Sequence, residues 1–276
     1  LLTYVGGLRL TKNCCCDGRA DGYASLVREP AALQNSEPLG RPSMESLGVG
    51  VMSLVRFGVV GCLMLGMLAG PVMGQAHRVL PSVPDNPDVT ATYVLYLHGQ
   101  IIERAGRRPT HPQFGVYEYD QVLRALSGPD RVVVSEQRES GTDVAAYADH
   151  VASQVRALLA QGVSPSQITV VGFSKGGRIA IETSSVLKEP INYVFMAACN
   201  GGVFGDQSLQ VTGRVLSIYE ESDEIGVSCG PLFERSPSVT ASAEVRISTG
   251  ARHGAFYQPR PEWTAEVLSW VQLEGR

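Results

Sequence analysis

The sequence lacks the features that most often indicate nucleic-acid, metal or nucleotide chemistry. It has no surplus of positive charge, because 23 Lys and Arg stand against 27 Asp and Glu and give a net charge of −4. A basic nucleic-acid-binding surface is therefore not expected. None of the 5 histidines stands in an H-x-x-x-H or H-x-H spacing, and neither a P-loop nor a G-x-G-x-x-G motif occurs. We expect no metal and no nucleotide cofactor.

The composition also lacks the signs of bulk disorder. Hydrophobic residues make up 44% of the chain and charged residues only 18%, which is enough apolar material for a buried core. At about 150 residues per domain, a chain of 276 residues has room for one or two domains. The composition therefore predicts a globular protein and leaves the number of domains open.

The first quarter of the chain does not resemble a folded domain. Residues 1–51 show no sustained apolar period, and their run of three adjacent cysteines (14–16) has no neighbouring partners for a metal site. We interpret residues 1–51 as a doubtful upstream extension that is disordered. Met44 and Met52 are the alternative starts.

Residues 52–74 have the organisation of a secretory signal peptide. Arg56 supplies positive charge, residues 57–69 are apolar, and small residues follow, so that cleavage after Gly74 or Ala76 fits. The apolar stretch is shorter than the roughly 20 residues that a membrane span needs. Lipoprotein anchoring at Cys62 is the alternative. The pattern predicts secretion or export to the periplasm, with no stable membrane span in the mature form.

Cysteine is scarce after the predicted signal peptide, where only Cys199 and Cys229 remain. An even number of cysteines in an exported protein predicts a disulfide. The alternative is two independent buried thiols.

From residue 92 onward, short apolar runs alternate with helical periods. The Pro-rich residues 75–91 are predicted as an extended lead-in. Continuous apolar strands between amphipathic helices are typical of a parallel sheet covered on both faces. We therefore predict one three-layer α/β/α sandwich over residues 92–276, with a mainly parallel sheet of about six strands. The strands are predicted at residues 92–97, 131–135, 168–172, 191–197, 214–218 and 244–248, and the longer helices at 117–126, 144–158, 175–187 and from 261 onward.

A G-x-S-x-G pattern occurs twice, around Ser174 and around Ser228. As a nucleophile elbow, the pattern requires a strand before the serine and a helix after it. Ser174 follows the predicted strand 168–172 and precedes the predicted helix 175–187. Ser228 follows an acidic segment and precedes Pro231, so it meets neither condition. We predict Ser174 as the nucleophile and reject Ser228. The alternative for Ser174 is a helix N-cap.

A serine nucleophile needs a base and an acid that orients the base. His253 is the only histidine after Ser174, and it follows the last predicted strand. Asp223 lies shortly after the preceding strand, and Glu220 and Glu221 are alternatives closer to that strand. Three other histidines are expected at the surface or in linkers: His77, His111 and His150.

This order of motifs resembles the α/β-hydrolase superfamily over residues 92–274. The resemblance implies that Ser174, Asp223 and His253 form a catalytic triad. Asp223 stands at the G-x-x-D offset of the family, although Glu220 occupies the place where glycine is usual. His253 stands in the usual G-x-x-H setting.

The resemblance also implies an oxyanion hole. His98-Gly99-Gln100 is similar to the family's oxyanion loop after the first strand, and the implied donors are the backbone N–H groups of Gln100 and Lys175. The Lys175 side chain is an alternative base for the nucleophile. The chain departs from the family in lacking the usual two N-terminal strands, and its connection at residues 199–213 is too short for a lid domain.

The lining of the substrate site is less well specified. His98, Arg138 and Phe173 are the candidates, because they lie at or near the carboxyl ends of predicted strands, where open α/β sheets bind ligands. We expect Arg138 and Glu139 to form a charged pair at the mouth, which either selects a polar substrate or is a surface ion pair. Core packing is the alternative role for Phe173 and Phe256.

The sequence therefore predicts an exported serine hydrolase that cleaves a carboxylic ester or a related acyl bond through an acyl-enzyme. Its expected partner is a small-molecule acyl substrate, and no cofactor is expected. One alternative is a binding protein of the same fold without catalysis, against which the complete set of Ser174, Asp223 and His253 argues. The other is a peptidase or thioesterase on the same scaffold, and the sequence does not separate these from an esterase.

Overall fold

The computed structural model describes residues 26–27 and 78–272, which contain an eight-stranded sheet. All neighbouring strands in this sheet run parallel, in the order β1-β10-β9-β8-β7-β3-β6-β2. A separate antiparallel hairpin is formed by β4 and β5. The strands are β1 (Leu26–Val27), β2 (Arg78–Leu80), β3 (Thr92–Leu97), β4 (Thr110–His111), β5 (Gly115–Val116), β6 (Arg131–Val134), β7 (Ile168–Phe173), β8 (Asn192–Met196), β9 (Thr212–Glu220) and β10 (Ser238–Ile247).

Helices cover both faces of the sheet. Residues of α3, α4, α5 and α6 pack in one apolar cluster, and residues of α1, α2 and α7 pack in another. Alternate residues of β3 enter different clusters, as the period of two in a strand requires: Tyr93 and Leu95 in the first, Val94 and Tyr96 in the second. The helices are α1 (Gln100–Ala105), α2 (Tyr119–Leu126), α3 (Val144–Ala160), α4 (Lys175–Leu187), α5 (Gly201–Gly205), α6 (Gly230–Glu234) and α7 (Pro261–Gln272), with 3₁₀ helices at Pro165–Gln167 and Arg252–Tyr257.

Local chemistry explains where the longest helix starts and stops. Asp143 caps α3, because its carboxylate accepts a hydrogen bond from the Ala146 N–H at 2.9 Å. Beyond Ala160 the chain turns through Gly162, whose φ of +91° is readily adopted only by glycine. Within residues 78–272, no helix is both long and apolar enough to cross a membrane.

The predicted three-layer α/β/α architecture is confirmed, and all six predicted strands are present. The lead-in prediction needs correction, because Arg78–Leu80 pairs with β6 as an edge strand. Three residues beside a Pro-rich stretch are too few to show a sequence period. The predicted leader and signal segments, residues 1–74, lie outside the described residues except for Leu26–Val27.

The carboxyl ends of the parallel strands bring four loops to one edge of the sheet. The loop after β3 leads into α1, and the turn after β7 holds Ser174 and leads into α4. The loop after β9 contains Asp223, and the segment after β10 contains His253. This edge is where open α/β sheets bind ligands, so the candidate site lies here.

Candidate active site

Ser174 lies in a sharp turn between β7 and α4. Its φ of 55° and ψ of −118° are strained for a residue with a side chain. The flanking glycines are needed because the backbone approaches closely on both sides. A Cβ on Gly172 would lie 2.3 Å from the Gly176 carbonyl oxygen, and one on Gly176 would lie 2.0 Å from the Leu97 carbonyl oxygen. This geometry is that of a nucleophile elbow, and it exposes part of the serine.

His253 lies within hydrogen-bond distance of Ser174. Its Nε2 is 2.9 Å from the Ser174 Oγ, and its side chain is buried in the 3₁₀ helix Arg252–Tyr257. The imidazole ring lies between Phe173, at 4.8 Å between ring centroids, and Phe114, at 5.7 Å. These contacts limit the ring to orientations that face the serine.

Asp223 completes the chain of contacts. Its Oδ2 lies 2.7 Å from the Nδ1 of His253, and its Oδ1 accepts a hydrogen bond from the Ile225 N–H at 2.9 Å. The carboxylate therefore favours the tautomer with the proton on Nδ1, which leaves Nε2 free to accept the proton of the serine hydroxyl. The structure thus brings the three residues predicted as a triad, Ser174, His253 and Asp223, into one row of hydrogen-bonded side chains.

The two alternative acids do not contact His253. Glu221 accepts a hydrogen bond from the Ser248 hydroxyl, away from the imidazole. Glu220 is buried and accepts hydrogen bonds from the Ser222 N–H and hydroxyl on one oxygen and from the Thr249 and Gly250 N–H groups on the other. Burial alone would raise the Glu220 pKa, but these hydrogen bonds outweigh it and hold the pKa below the usual value. Glu220 therefore links the Asp223 turn to the segment that leads into His253.

Two helix starts meet beside the serine. Gln100 opens α1 and Lys175 opens α4, so the N–H groups of both residues lack acceptors within their helices. Gly99 packs against this corner, because a Cβ there would lie 3.0 Å from the Phe173 ring and 3.7 Å from the Ser174 Cβ. Both N–H groups therefore belong to first residues of helices that start close to Ser174. The Lys175 ammonium instead contacts the Glu103 carboxylate at 2.7 Å.

His98, Arg138 and Phe173, the residues predicted to line the substrate site, are buried side chains in the structure. All three are at least 95% buried. Arg138 pairs with Glu103 at 3.0 Å, whereas Glu139 is exposed, so the expected charged pair at the mouth is not present. Phe173 packs under the His253 ring. Each of the three contacts a residue of the candidate site or its neighbour: Phe173 contacts His253, Arg138 contacts His98, and His98 contacts Gly99.

The β4–β5 hairpin contacts His253 through Phe114, and the loop after Asp223 exposes apolar side chains; the sequence did not indicate either feature. His111, expected at the surface, stacks on Phe114 at 4.4 Å between ring centroids, and Phe114 in turn contacts the His253 ring. Ile225 and Val227 are large apolar side chains with exposures of 44% and 42%. The hairpin could not be identified from sequence, because two-residue strands have no measurable period.

In the second G-x-S-x-G motif, the serine is hydrogen-bonded to a carboxylate and the next residue forms a disulfide. The Ser228 hydroxyl donates to the Glu244 carboxylate at 2.7 Å, and the neighbouring Cys229 N–H donates to the same carboxylate at 2.8 Å. Cys229 and Cys199 form a disulfide with an S–S distance of 2.06 Å. This bond ties the loop after β8 to the loop that follows Asp223.

Two cavities, of about 280 and 450 Å³, lie elsewhere and include none of the three residues in the row. Among the described residues, no group of three or more His, Cys, Asp or Glu side chains is arranged to hold a metal ion.

Comparison with known proteins gives one family match. The sequence model of the Phospholipase/Carboxylesterase family matches residues 129–217, which include β7, Ser174 and α4. No curated protein matches the chain. The parallel sheet and this match support a relation to the α/β-hydrolase superfamily, and the architecture is that of the α/β-hydrolase fold.

Several solved structures resemble the chain at low identity. SOBER1 of Arabidopsis thaliana is 12% identical with a TM-score of 0.40, over 66% of this chain and 98% of that one. The RedJ thioesterase of the prodiginine biosynthetic pathway in Streptomyces coelicolor is 13% identical with a TM-score of 0.46, over 74% and 98%. A lipase-esterase related protein from Clostridium acetobutylicum is 13% identical with a TM-score of 0.41, over 71% and 98%.

Proposed function

We propose that the protein is an exported serine hydrolase that cleaves a carboxylic ester or a related acyl bond through an acyl-enzyme. The observation that carries the proposal is a pair of consecutive hydrogen-bond contacts. The Ser174 Oγ lies 2.9 Å from the His253 Nε2, and the His253 Nδ1 lies 2.7 Å from the Asp223 Oδ2. A serine hydroxyl is a weak nucleophile at neutral pH and needs such a base.

The proposed reaction has two halves. In the first, the Ser174 Oγ attacks the substrate carbonyl carbon while its proton moves to the His253 Nε2, which then protonates the leaving alcohol. In the second, water gives a proton to the same nitrogen and attacks the acyl carbon, and the proton returns to the serine. Asp223 stabilises the imidazolium formed in each half.

The negative charge that develops on the carbonyl oxygen needs donors that are already in place. In this proposal the N–H groups of Gln100 and Lys175 supply them. One such donor typically contributes about 3 kcal/mol to transition-state stabilisation. Because both groups are first residues of helices, no helical hydrogen bond has to break when the oxyanion forms.

An acyl substrate fits the surroundings of the serine. The match to the Phospholipase/Carboxylesterase family supports acyl-ester chemistry. Phe114 stands on one side of the His253 ring, and the exposed apolar side chains of Ile225 and Val227 lie in the loop that follows Asp223. These contacts favour a substrate whose acyl or alcohol part is apolar.

The test uses the two serines as a matched pair, because each stands in a G-x-S-x-G motif. Wild type and Ser228→Ala should react with a fluorophosphonate probe and hydrolyse a short-chain p-nitrophenyl ester, whereas Ser174→Ala should do neither and should keep its circular dichroism spectrum. Ester activity of Ser174→Ala within tenfold of wild type would reject the nucleophile. A wild-type protein that neither reacts with the probe nor hydrolyses any ester of a panel varied in chain length and polarity would reject the enzyme.

Export is part of the same proposal, and it is supported by the signal-like residues 52–74 and by the Cys199–Cys229 disulfide. Residues 52–276 expressed in a bacterium should be recovered outside the cytoplasm with a new N-terminus at Gln75 or His77. A lipid-modified N-terminus at Cys62 would replace secretion by membrane anchoring. An uncleaved chain in the cytoplasm would contradict export.

A further inference from the structure

Glu103 is a buried carboxylate placed between two cations. Its Oε1 lies 3.0 Å from the Arg138 Nε, and its Oε2 lies 2.7 Å from the Lys175 Nζ. The side-chain exposures of Glu103, Arg138 and Lys175 are 0%, 1% and 16%. The three charges form one group that connects α1, which contains Glu103, to the first residue of α4, with one negative and two positive members.

On one side, this group is connected to the loop that precedes Gln100. The Arg138 N–H donates to the His98 Nε2 at 2.9 Å, and the Arg138 guanidinium donates to the His98 carbonyl oxygen. The His98 Nδ1–H donates to the Gly99 carbonyl oxygen at 2.9 Å. Burial, with the nearby Arg138 charge, lowers the His98 pKa to about 3, so the ring is neutral and can accept at Nε2.

On the other side, the group is connected to the turn after β7. Lys175 directly follows Ser174, and its ammonium is held by Glu103, which lies three residues after Gln100 in α1. The Glu103 carboxylate therefore links α1, which begins at Gln100, to Lys175. The N–H groups of Gln100 and Lys175 are the two proposed oxyanion donors.

The energetics of buried ion pairs argue for a role beyond stability. Taking charges out of water costs several kcal/mol per ion, and such pairs often stabilise a fold no more than apolar residues of the same volume. What a carboxylate between two cations does provide is a fixed geometry, because the Arg–carboxylate contact is directional and both partners are held at the same group.

We propose that Glu103 is a positioning residue that sets the separation of the two oxyanion donors, the N–H groups of Gln100 and Lys175. This inference rests on the proposed function. Glu103 does not touch substrate in this proposal, and it acts through the helix start that contains Gln100 and through the Lys175 side chain. Its loss should weaken binding of the transition state more than binding of the ester.

The main variant is Glu103→Gln, and its matched control is Glu182→Gln, which removes a partly exposed ion pair with Arg178 on α4. For Glu103→Gln we expect kcat to fall by about 10- to 100-fold, below the loss of about 100- to 1,000-fold for a deleted oxyanion donor. KM should stay within threefold of wild type. A trifluoromethyl ketone analogue should lose affinity in parallel with kcat, and Glu182→Gln should match wild type.

A second variant covers the case in which Glu103→Gln does not fold. Lys175→Met leaves the Glu103–Arg138 pair intact and removes only the link to the turn after β7. It should also lower kcat and analogue affinity with little change in KM, and adding Glu103→Gln to it should cost less than the product of the two single effects.

The outcomes separate this inference from the proposed function. An inactive wild-type protein would reject the function itself. An active wild type together with unchanged kcat and unchanged analogue affinity in both Glu103→Gln and Lys175→Met would overturn the positioning role. A rise in KM equal to the fall in kcat/KM would also overturn it, because the two donors would then not be the groups affected.

Discussion

Two buried carboxylates, Glu103 and Glu220, contact neighbours of the proposed catalytic residues, and their charges are stabilised in different ways. Glu103, on the oxyanion side, lies between the cationic side chains of Arg138 and Lys175. Glu220, on the acid–base side, accepts hydrogen bonds from two hydroxyls, those of Ser222 and Thr249, and from three backbone N–H groups, those of Ser222, Thr249 and Gly250. The first is held by long side chains from distant elements, and the second is held by the main chain of its own two loops.

The two kinds of contact suit the different segments that each carboxylate holds in place. The oxyanion side must fix two helix starts, and long cationic side chains can span the space between secondary elements. The acid–base side must fix two loops, and Glu220 binds them at Ser222, next to Asp223, and at Gly250, three residues before His253. Backbone donors at these points set the path of each loop directly, so we expect the acid–base side to depend more on local geometry than on charge.

The largest effect is expected from the acid itself. Asp223→Asn should lower kcat by about 1,000- to 10,000-fold, because an amide stabilises the wrong tautomer of His253 and cannot stabilise the imidazolium. Glu221→Gln is the control, since the Glu221 carboxylate accepts a hydrogen bond from the Ser248 hydroxyl and not from His253, and it should cost less than threefold. Steady-state kinetics on one ester measure both. The reverse order of effects would move the acid to Glu221.

Removing the disulfide tests whether the loop that contains Asp223 also depends on its attachment at Cys229. Replacing Cys199 and Cys229 by alanine should lower the free energy of unfolding by about 3 kcal/mol, because the bond closes a loop between residues 30 apart. Chemical denaturation without reductant measures the loss. Reductant should reproduce it in the wild type and leave the double variant unchanged. Free thiols at both positions in the exported protein would contradict the bond.

Glu220→Gln tests the link between the two loops. The amide keeps the shape but has one acceptor oxygen, so it cannot hold both Ser222 and Gly250, and kcat should fall by about 10-fold or more with a smaller change in KM. Glu224→Gln, which removes only an exposed pair with Arg252, should have almost no effect. Equal activity of the two variants would show that the loops hold their positions without Glu220.

The same variant has a pH signature. The folded-state pKa of Glu220 is lowered below 4.5, so the unfolded chain binds a proton more readily than the folded one. The stabilisation is therefore present above pH 4.5 and is lost as the pH falls through the folded-state pKa. Denaturation curves should show that Glu220→Gln flattens this loss. An unchanged acid slope would mean that the hydrogen bonds of Glu220 do not stabilise its charged form.

Sequence reasoning reached the six main strands and the row of Ser174, Asp223 and His253, because both have strong local signals. The strands are continuous apolar runs, and the three residues follow strands in a recognisable order. It missed β2 and the β4–β5 hairpin, since elements of two or three residues are defined by their partners and not by a period.

The surroundings of Arg138 could not be predicted for a different reason. Its partner Glu103 is 35 residues away in the chain, and Glu139 is adjacent, so proximity in sequence favoured the wrong acid. Only the packing of α1 against the sheet brings the distant carboxylate to the guanidinium. The sequence indicates Glu220 only as an alternative acid, because three of its five hydrogen bonds come from Thr249 and Gly250, in a segment that follows the next strand.

The smallest effect at neutral pH is expected from His98, which contacts Arg138, the partner of Glu103. Its titration tests whether the surroundings of Glu103 tolerate a further positive charge. The ring is buried and neutral, with a pKa lowered from 6.5 to about 3 chiefly by desolvation and then by Arg138. Because the unfolded chain binds this proton and the folded one does not, stability should be unaffected above pH 6.5. It should fall with a slope of up to about 1.4 kcal/mol per pH unit as the pH drops from 6.5 towards 3.

His98→Gln removes this titration, since an amide can donate and accept a hydrogen bond at any pH. Urea denaturation at steps between pH 7.5 and 4.5 should show a shallower loss of stability for His98→Gln than for wild type, and kcat at neutral pH should stay within a few fold. The exposed His150 provides the control variant His150→Gln, which should follow the wild-type curve. If His98→Gln followed that curve as well, His98 would have to accept a proton in the folded state, and the oxyanion side would then tolerate a third cation beside Arg138 and Lys175.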